Sequence, residues 1–315
     1  MKSNLLDWNA QILIQTRMVL ICFVIFFVGI LPGCATKSEP AAPANPAPMV
    51  VAPIAPKLLK IGLALGGGAA RGFAHVGVIA VLEEAGLKPN IVVGTSAGSL
   101  VAALYASGKT SAQLQQTALN IEEVAIADWM LPLVGRGMFR GEALARYVND
   151  LVANRLIENM AMPLGIVATD LNSGNAVLFQ RGDTGTAVRA SSAVPAVFVP
   201  VKISGREYVD GGLVSPVPVR FARQMGADVV VAVDISNPPE ANPADGTLQI
   251  LLQTFAIMGK SINQYELPSA DVVVRPSLAG LKSADFTSRQ RAIDAGRAAM
   301  RGALPALKAR LAAMQ

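Results

Sequence analysis

The sequence predicts an α/β fold, a layered mixed sheet flanked by helices, and three observations carry that expectation. Two strand, glycine-turn, helix units stand in tandem between Leu58 and Ala106. Further β-rich runs recur downstream with helical patterns between them, and residues 164–209 are richer in strand than in helix, which argues for a sheet that is not wholly parallel. Composition agrees, because 52% hydrophobic and 16% charged residues supply a large core and exclude global disorder. No internal repeat is present, and 315 residues suit one domain with an appended leader.

The leader comes first in the chain. Met18 to Leu31 is almost wholly apolar, follows Arg17 and ends at Leu31-Pro32-Gly33-Cys34, which reads as a secretory signal over residues 1–33. Small residues before a cysteine resemble the lipobox of bacterial lipoproteins, in which Cys34 would become the lipidated N-terminus; Pro32 departs from that pattern. The other reading is an uncleaved anchor from Ile12 to Leu31, interrupted by Gln15 and Arg17 and short for a span. Under both readings the body lies outside the cytoplasm. Ala35 after the cysteine resembles the outer-membrane sorting pattern, so the expected location is the bacterial cell envelope, lipid-anchored on the outer membrane and facing the periplasm. Residues 34–57, with Pro40, Pro43, Pro46, Pro48, Pro53 and Pro56, form a semi-rigid extended tether.

The body, residues 58–315, opens with the apolar run Leu58 to Leu65, a predicted strand ending in Gly66, Gly67 and Gly68. A helical pattern from Gly72 sets Phe73, Val76, Ile79, Ala80 and Leu82 on one side. Ile91 to Val93 is a short buried strand, followed by Gly94-Thr95-Ser96-Ala97-Gly98 and a small-residue helix from Ser99 to Ala106. Strands are predicted at Leu164 to Thr169, Ala176 to Gln180, Val197 to Ile203, Val229 to Asp234 and Asp271 to Val274, with Arg206 to Val209 extended as well. The Ala-rich tail carries Arg289, Arg291, Arg297, Arg301, Lys308 and Arg310, which read as the solvated side of a packed helix in preference to a lipid-facing one.

Several chemistries are excluded at this level. Cys22 and Cys34 both precede the body, which also holds a single histidine, so neither a disulfide nor a Cys/His zinc site is available there. The net charge is +5, and removing residues 1–33 takes away Lys2, Arg17 and Asp7 and leaves +4, too mild to imply nucleic acid.

The pentapeptide Gly94 to Gly98 matches the nucleophile elbow Gly-x-Ser-x-Gly. Its two glycines allow backbone approach at a strained turn that leaves Ser96 exposed at a helix N-terminus. A hydrolytic serine needs a base. His75 could complete an ordinary triad, yet it sits inside a helical pattern, where a hydrogen-bonded structural role is the favoured reading. A carboxylate must otherwise act directly, held close to the serine and partly desolvated; Asp210, followed by Gly211 and Gly212, offers one, though Asp-Gly-Gly is also an ordinary turn. The cluster Gly66, Gly67, Gly68, Ala69, Ala70, Arg71 and Gly72 supplies backbone N–H groups for an oxyanion. It lacks the Gly-Lys-Ser/Thr of a P-loop and has Arg71 where a dinucleotide fingerprint counted from Gly66 needs glycine. Arg71 is read as a brace for that loop or a phosphate contact, against a plain surface charge.

Taken together these residues resemble the patatin-like phospholipases, in particular bacterial members related to the catalytic domain of neuropathy target esterase. The resemblance runs from about residue 58 to 235. It rests on Leu63 to Val81, Gly94 to Gly98 and Asp210 to Gly212, supported by Ala168-Thr169-Asp170-Leu171, Arg189 to Pro195 and Gly212 to Pro218. It implies a Ser96–Asp210 dyad hydrolysing carboxylic esters of phospholipid or lysophospholipid, an oxyanion hole at Gly67, Gly68 and Ala69, and no metal or organic cofactor. Ala69 stands where some relatives have a third glycine, which constrains φ without removing the main-chain donor. Asp128 to Val134 is apolar without clear period and reads as a lid, an acyl-chain wall or ordinary core. A lipoprotein binding lipid or a partner without turnover, and a thioesterase, are the competing readings.

Overall fold

In the computed structural model residues 58–121, 141–239, 245–281 and 287–314 are described. The signal segment, Cys34, the tether and Asp128 to Val134 lie outside the described residues. Eight strands form one sheet: β1 (Ile61–Leu65), β2 (Ile91–Thr95), β3 (Leu164–Asp170), β4 (Ala176–Phe179), β5 (Val201–Ile203), β6 (Arg206–Asp210), β7 (Val229–Val233) and β8 (Val272–Val274). Their order is β5-β6-β3-β2-β1-β7-β8, with β4 on β3. The run β3-β2-β1-β7-β8 is parallel, whereas β4, β5 and β6 supply antiparallel pairs, so the sheet is mixed as expected. Leu58 is fully outside the first strand and 92% exposed. The expected strand from Val197 begins only at Val201, after Pro200, which has no N–H to give to a ladder.

Alternation along the central strands divides two cores. Leu63 and Leu65 of β1 and Val229, Val231 and Val233 of β7 face one side, while Ala64, Val230 and Ala232 face the other. The first core is closed by α1 (Phe73–Glu84), α2 (Ala97–Ala106), α3 (Ser111–Leu119), α4 (Glu142–Leu151) and α8 (Arg289–Ala312); the second by α6 (Val219–Gln224). Helices α5 (Thr184–Ser191) and α7 (Thr247–Glu266) are the remaining α-helices among the described residues.

Helix α1 is not one-sided as its pattern suggested. Phe73 through Leu82 are all buried, because α8 packs across the face turned away from the sheet. The crossing is close enough that a Cβ at Gly77 would sit 1.9 Å from the Ile293 carbonyl oxygen and one at Gly296 2.0 Å from that of Ala74. The basic side of α8 is tied to this chain: Arg297 and Arg301 pair with Glu84, Arg310 with Asp271, and Arg289 donates to the Leu119 carbonyl.

Register brings two strand ends together. β3 pairs with β2 through Leu164–Val167 and with β6 through Ala168–Asp170. Both lie on the edge opposite β4, which spans Ile166–Thr169. β2 and β6 therefore meet end to end along one edge of β3. Thr95 lies opposite Val167 and Asp210 opposite Ala168, the next residue.

Candidate active site

That junction determines the site. Ser96 follows β2 directly and opens α2 with φ 52° and ψ −124°, in the positive-φ region that non-glycine residues rarely occupy. The helix starts at Ala97, two residues earlier than its pattern suggested. The turn is tight enough that a Cβ on Gly94 would lie 2.4 Å from the Gly98 carbonyl oxygen, and one on Gly98 2.1 Å from that of Leu65. The strained backbone is held by a side chain to which no role was assigned from sequence. The Ser96 N–H donates to Ser191 Oγ at 2.8 Å, and Ser191 Oγ donates to the Val167 carbonyl at 2.6 Å. Ser191 is fully buried at the end of α5, inside the Arg189 to Pro195 stretch.

Asp210 ends β6 across from Ser96, close enough for the serine side chain to act on its carboxylate. Oδ1 also accepts the Gly212 N–H at 2.7 Å. Its backbone is pinned on both sides: Asp210 N–H donates to the Ala193 carbonyl at 2.9 Å, and Thr169 Oγ1 donates to the Asp210 carbonyl at 2.8 Å. The residue is 7% exposed. Burial raises its carboxyl from the ordinary 3.8 to about 6, against the opposing pull of the Gly212 and Ser96 hydrogen bonds.

His75 makes a different connection. It is fully buried, and its Nε2 lies 2.8 Å from the Gly66 carbonyl oxygen. A carbonyl only accepts, so Nε2 carries the proton and donates. Burial lowers the imidazole to about 4 and keeps it neutral, while Nδ1 has no hydrogen-bond partner. Among the described contacts His75 holds the glycine loop and does not engage Ser96.

The loop itself is fastened from several directions. Gly66 N–H donates to Val233 O and Gly67 N–H to Pro216 O, each at 3.0 Å. The second bond corrects one expectation, since the Gly67 N–H is already occupied and leaves Gly68 and Ala69 as the loop's candidate oxyanion donors. Arg71 is 5% exposed, so it is no surface charge; its Nε donates to the Gly68 carbonyl at 3.3 Å, and burial lowers its guanidinium to about 10. Carbonyl and N–H of one trans peptide point in opposite directions. Drawing the Gly68 carbonyl toward Arg71 therefore aims the Ala69 N–H the other way, and Ala69 takes φ 51° to do so. Gly67 faces the serine directly, a Cβ there lying 3.1 Å from Ser96 Cβ, and Gly72 packs on Ala97. Gly211 lies against the Val167 carbonyl at the strand junction.

An apolar cavity opens beside these groups. Ala69, Phe73 and Val76 line one wall, Ala97, Leu100, Val101 and Leu104 a second, and Leu114, Ile121 and Leu144 further wall. Ala97 and Leu104 are two helical turns apart, so the α2 wall extends about 10 Å from the serine turn. Among the described residues, no group of three or more His, Cys, Asp or Glu side chains could hold a metal ion.

Comparison with known proteins accords with this geometry. Residues 63–223 match the family model described as patatin-like phospholipase. An NTE-family protein of Mycobacterium tuberculosis is 37% identical over 186 residues, covering 59% of this chain and 51% of that protein. Human patatin-like phospholipase domain-containing protein 6 is 32% identical over 231 residues, 71% of this chain and 16% of that one. The chain thus aligns with about half the length of its mycobacterial relative and a smaller share of the human protein. The crystal structure of VipD from Legionella pneumophila superposes with a TM-score of 0.51 at 14% identity, over 78% of this chain and 67% of that one, a likeness of fold. A family match that covers the glycine loop, the Ser96 elbow and Asp210 in one continuous span makes this chain a member of the patatin-like phospholipase family.

Proposed function

We propose that the protein is a serine hydrolase of lipid carboxylic esters, of phospholipase A or lysophospholipase type, with Ser96 as nucleophile and Asp210 as base. The observation that supports this most is the approach of the Ser96 side chain to a buried carboxylate whose pKa burial pushes up to about 6, near working pH. Ser96 Oγ attacks the ester carbonyl while Asp210 takes its proton. The negative charge that forms on the carbonyl oxygen is received by the Gly68 and Ala69 N–H groups. Collapse breaks the ester bond, Asp210 gives its proton to the leaving alcohol, and an acyl-Ser96 remains. Asp210 then takes a proton from water, which attacks the acyl carbon, and the proton returns to Ser96 Oγ as the fatty acid leaves.

The acyl chain is assigned to the apolar cavity that Ala69, beside the candidate oxyanion donors, and Ala97, next to the serine, help to line. Leu104→Trp, which fills that cavity two turns from the serine, is expected to lower kcat/KM for a long-chain ester about tenfold relative to a butyryl ester. Equal loss on both would disconnect the cavity from chain length. Ser191→Ala removes the acceptor for the strained Ser96 N–H and is expected to cut kcat about tenfold with little change in KM. Ser191→Thr, which keeps a hydroxyl, should restore most of it.

The leader and Cys34 support placing the enzyme at the bacterial envelope, lipid-anchored at the outer membrane, with phospholipid or lysophospholipid as the substrate within reach of its tether. The test is release of fatty acid from lysophosphatidylcholine by the purified protein, together with fluorophosphonate treatment and peptide mapping. The adduct is expected on Ser96; release of fatty acid with Ser96 unmodified would refute the assignment.

A further inference from the structure

Helix α7 carries apolar side chains that the described residues leave exposed or only half-buried. From Thr247 to Met258 it contains Leu248, Ile250, Leu251, Leu252, Phe255, Ile257 and Met258 and no charged residue. None of these side chains is buried: Leu248 is 43% exposed, Ile250 55%, Leu252 38%, Ile257 51% and Met258 43%. At about 100° per residue, Leu248 and Leu252 project from one side of the helix and Ile250 and Ile257 from the opposite side.

The second half of the same helix is fastened to the loop that follows Asp210. Gly259 faces Pro216, with a Cβ there 3.5 Å from the proline ring. Asn263 Nδ2 donates to Ser236 Oγ at 3.1 Å. The buried Glu266 carboxylate accepts Ser215 Oγ at 2.8 and 3.0 Å and the Arg220 N–H at 3.2 Å. Pro216 in turn holds the Gly67 N–H, and Ser215 O accepts from Thr95 Oγ1 at 2.9 Å beside the nucleophile. The exposed half is therefore keyed to the base, the serine strand and the glycine loop at once.

We propose that residues 247–258 of α7 dock into a lipid surface and hold the Asp210 loop against it. Gln249, Gln253 and Thr254 interrupt the apolar surface, and Gln253 Nε2 donates to the Pro239 carbonyl at 2.7 Å, yet exposed apolar side chains on opposite sides of one helix need apolar surroundings on both, which a bilayer gives and a single protein patch, covering one face, does not. Twelve residues of helix extend about 18 Å, short of the hydrocarbon thickness, so the segment lies in the membrane interface and does not cross it. No helix among the described residues is long and apolar enough to cross a membrane. The apolar leader on the same chain supplies a second attachment, and stable anchoring takes two such signals. With no charge in the segment, docking is expected to be indifferent to salt and to anionic lipid. The inference deepens the hydrolase reading by stating how the site meets its substrate, and it rests on that reading.

The experiment mixes the full chain with phosphatidylcholine vesicles containing a diazirine-bearing acyl chain, irradiates them and maps the modified peptides. Adducts are expected on 247–258, undiminished at high salt. The variant Ile250→Ser/Ile257→Ser/Met258→Ser replaces exposed positions only; it should lose these adducts and hydrolyse vesicular lysophosphatidylcholine about tenfold more slowly. Its rate on a water-soluble short-chain ester should stay within about twofold of the parent. Adducts absent from 247–258, vesicle hydrolysis by the triple variant at the parental rate, or cross-linking of that segment to a second copy would each overturn the docking surface. A parent inert toward the soluble ester would count against the hydrolase instead, and the lipid adducts would still decide the docking.

Discussion

Asp210→Asn is expected to abolish ester hydrolysis while making the protein more stable at neutral pH. Without the carboxylate nothing takes the Ser96 proton, and the loss should reach about 10⁴-fold, as for removal of one member of a hydrolytic constellation. Ser96→Ala should cost as much, and the double variant no more than either, because the two groups act as a unit. Stability separates them. The folded carboxyl titrates near 6 against an ordinary 3.8, so the contribution of its neutral form is fully present below 3.8 and is lost as pH rises through about 6. At pH 7 the parent carries the cost of a buried ionised group, on the order of 3 kcal/mol for that gap. The asparagine never ionises, and its amide oxygen keeps the Gly212 N–H. Denaturant midpoints of the two proteins should diverge above pH 6 and converge in acid, while parental kcat/KM climbs through the same region. A parent whose rate is flat from pH 5 to 7, or an Asn variant that is destabilised throughout, would contradict a desolvated base at this position.

How far the site could be read from the chain depends on how local each interaction is. The Ser96 elbow was legible because strand, glycine, serine, glycine and helix follow one another within a dozen residues, and sterics decide the turn. Asp210 was legible as a candidate only. Its place across from Ser96 depends on β3 pairing first with β2 and then with β6, a register that no pattern within either segment encodes. The same distance in sequence hides the bond from Gly67 N–H to Pro216 O, which occupies an amide that the family resemblance assigns to the oxyanion hole. Arg71 read as a charge at a helix start because helix ends usually face water; here the Gly68 carbonyl gives the guanidinium a buried partner. Ser191 and Glu266 carry no local signature, since each acts on a backbone or hydroxyl group presented by a different element. The strand lost before Val201 was readable in principle, as Pro200 marks it. Full burial of α1 was not, because the covering helix α8 lies more than two hundred residues downstream.

The largest structural effect is expected from one methyl group, in Gly98→Ala. An added Cβ at that position would lie 2.1 Å from the Leu65 carbonyl oxygen and 2.7 Å from that of Gly66. Neither oxygen can retreat easily. Leu65 ends a strand paired on both sides, with β2 and β7, and the Gly66 carbonyl is held by His75. Helix α2 must move away instead, by about 1 Å to regain ordinary contact, and such overpacking costs about 3 kcal/mol at the upper end. That corresponds to a fall in Tm of about 10 °C for a domain of this size. The displacement also separates Ser96 from the Gly68 and Ala69 amides, and misplacement on that scale lowers turnover about 10²-fold. Gly302→Ala provides the matched control, being the same chemical change in α8 at a site with nothing within 4 Å of the new Cβ. It should be neutral or slightly stabilising, because alanine is the better helix former. If both variants melt and turn over alike, the elbow does not pack against the end of β1. The serine and the glycine loop would then have no rigid connection through which to act together.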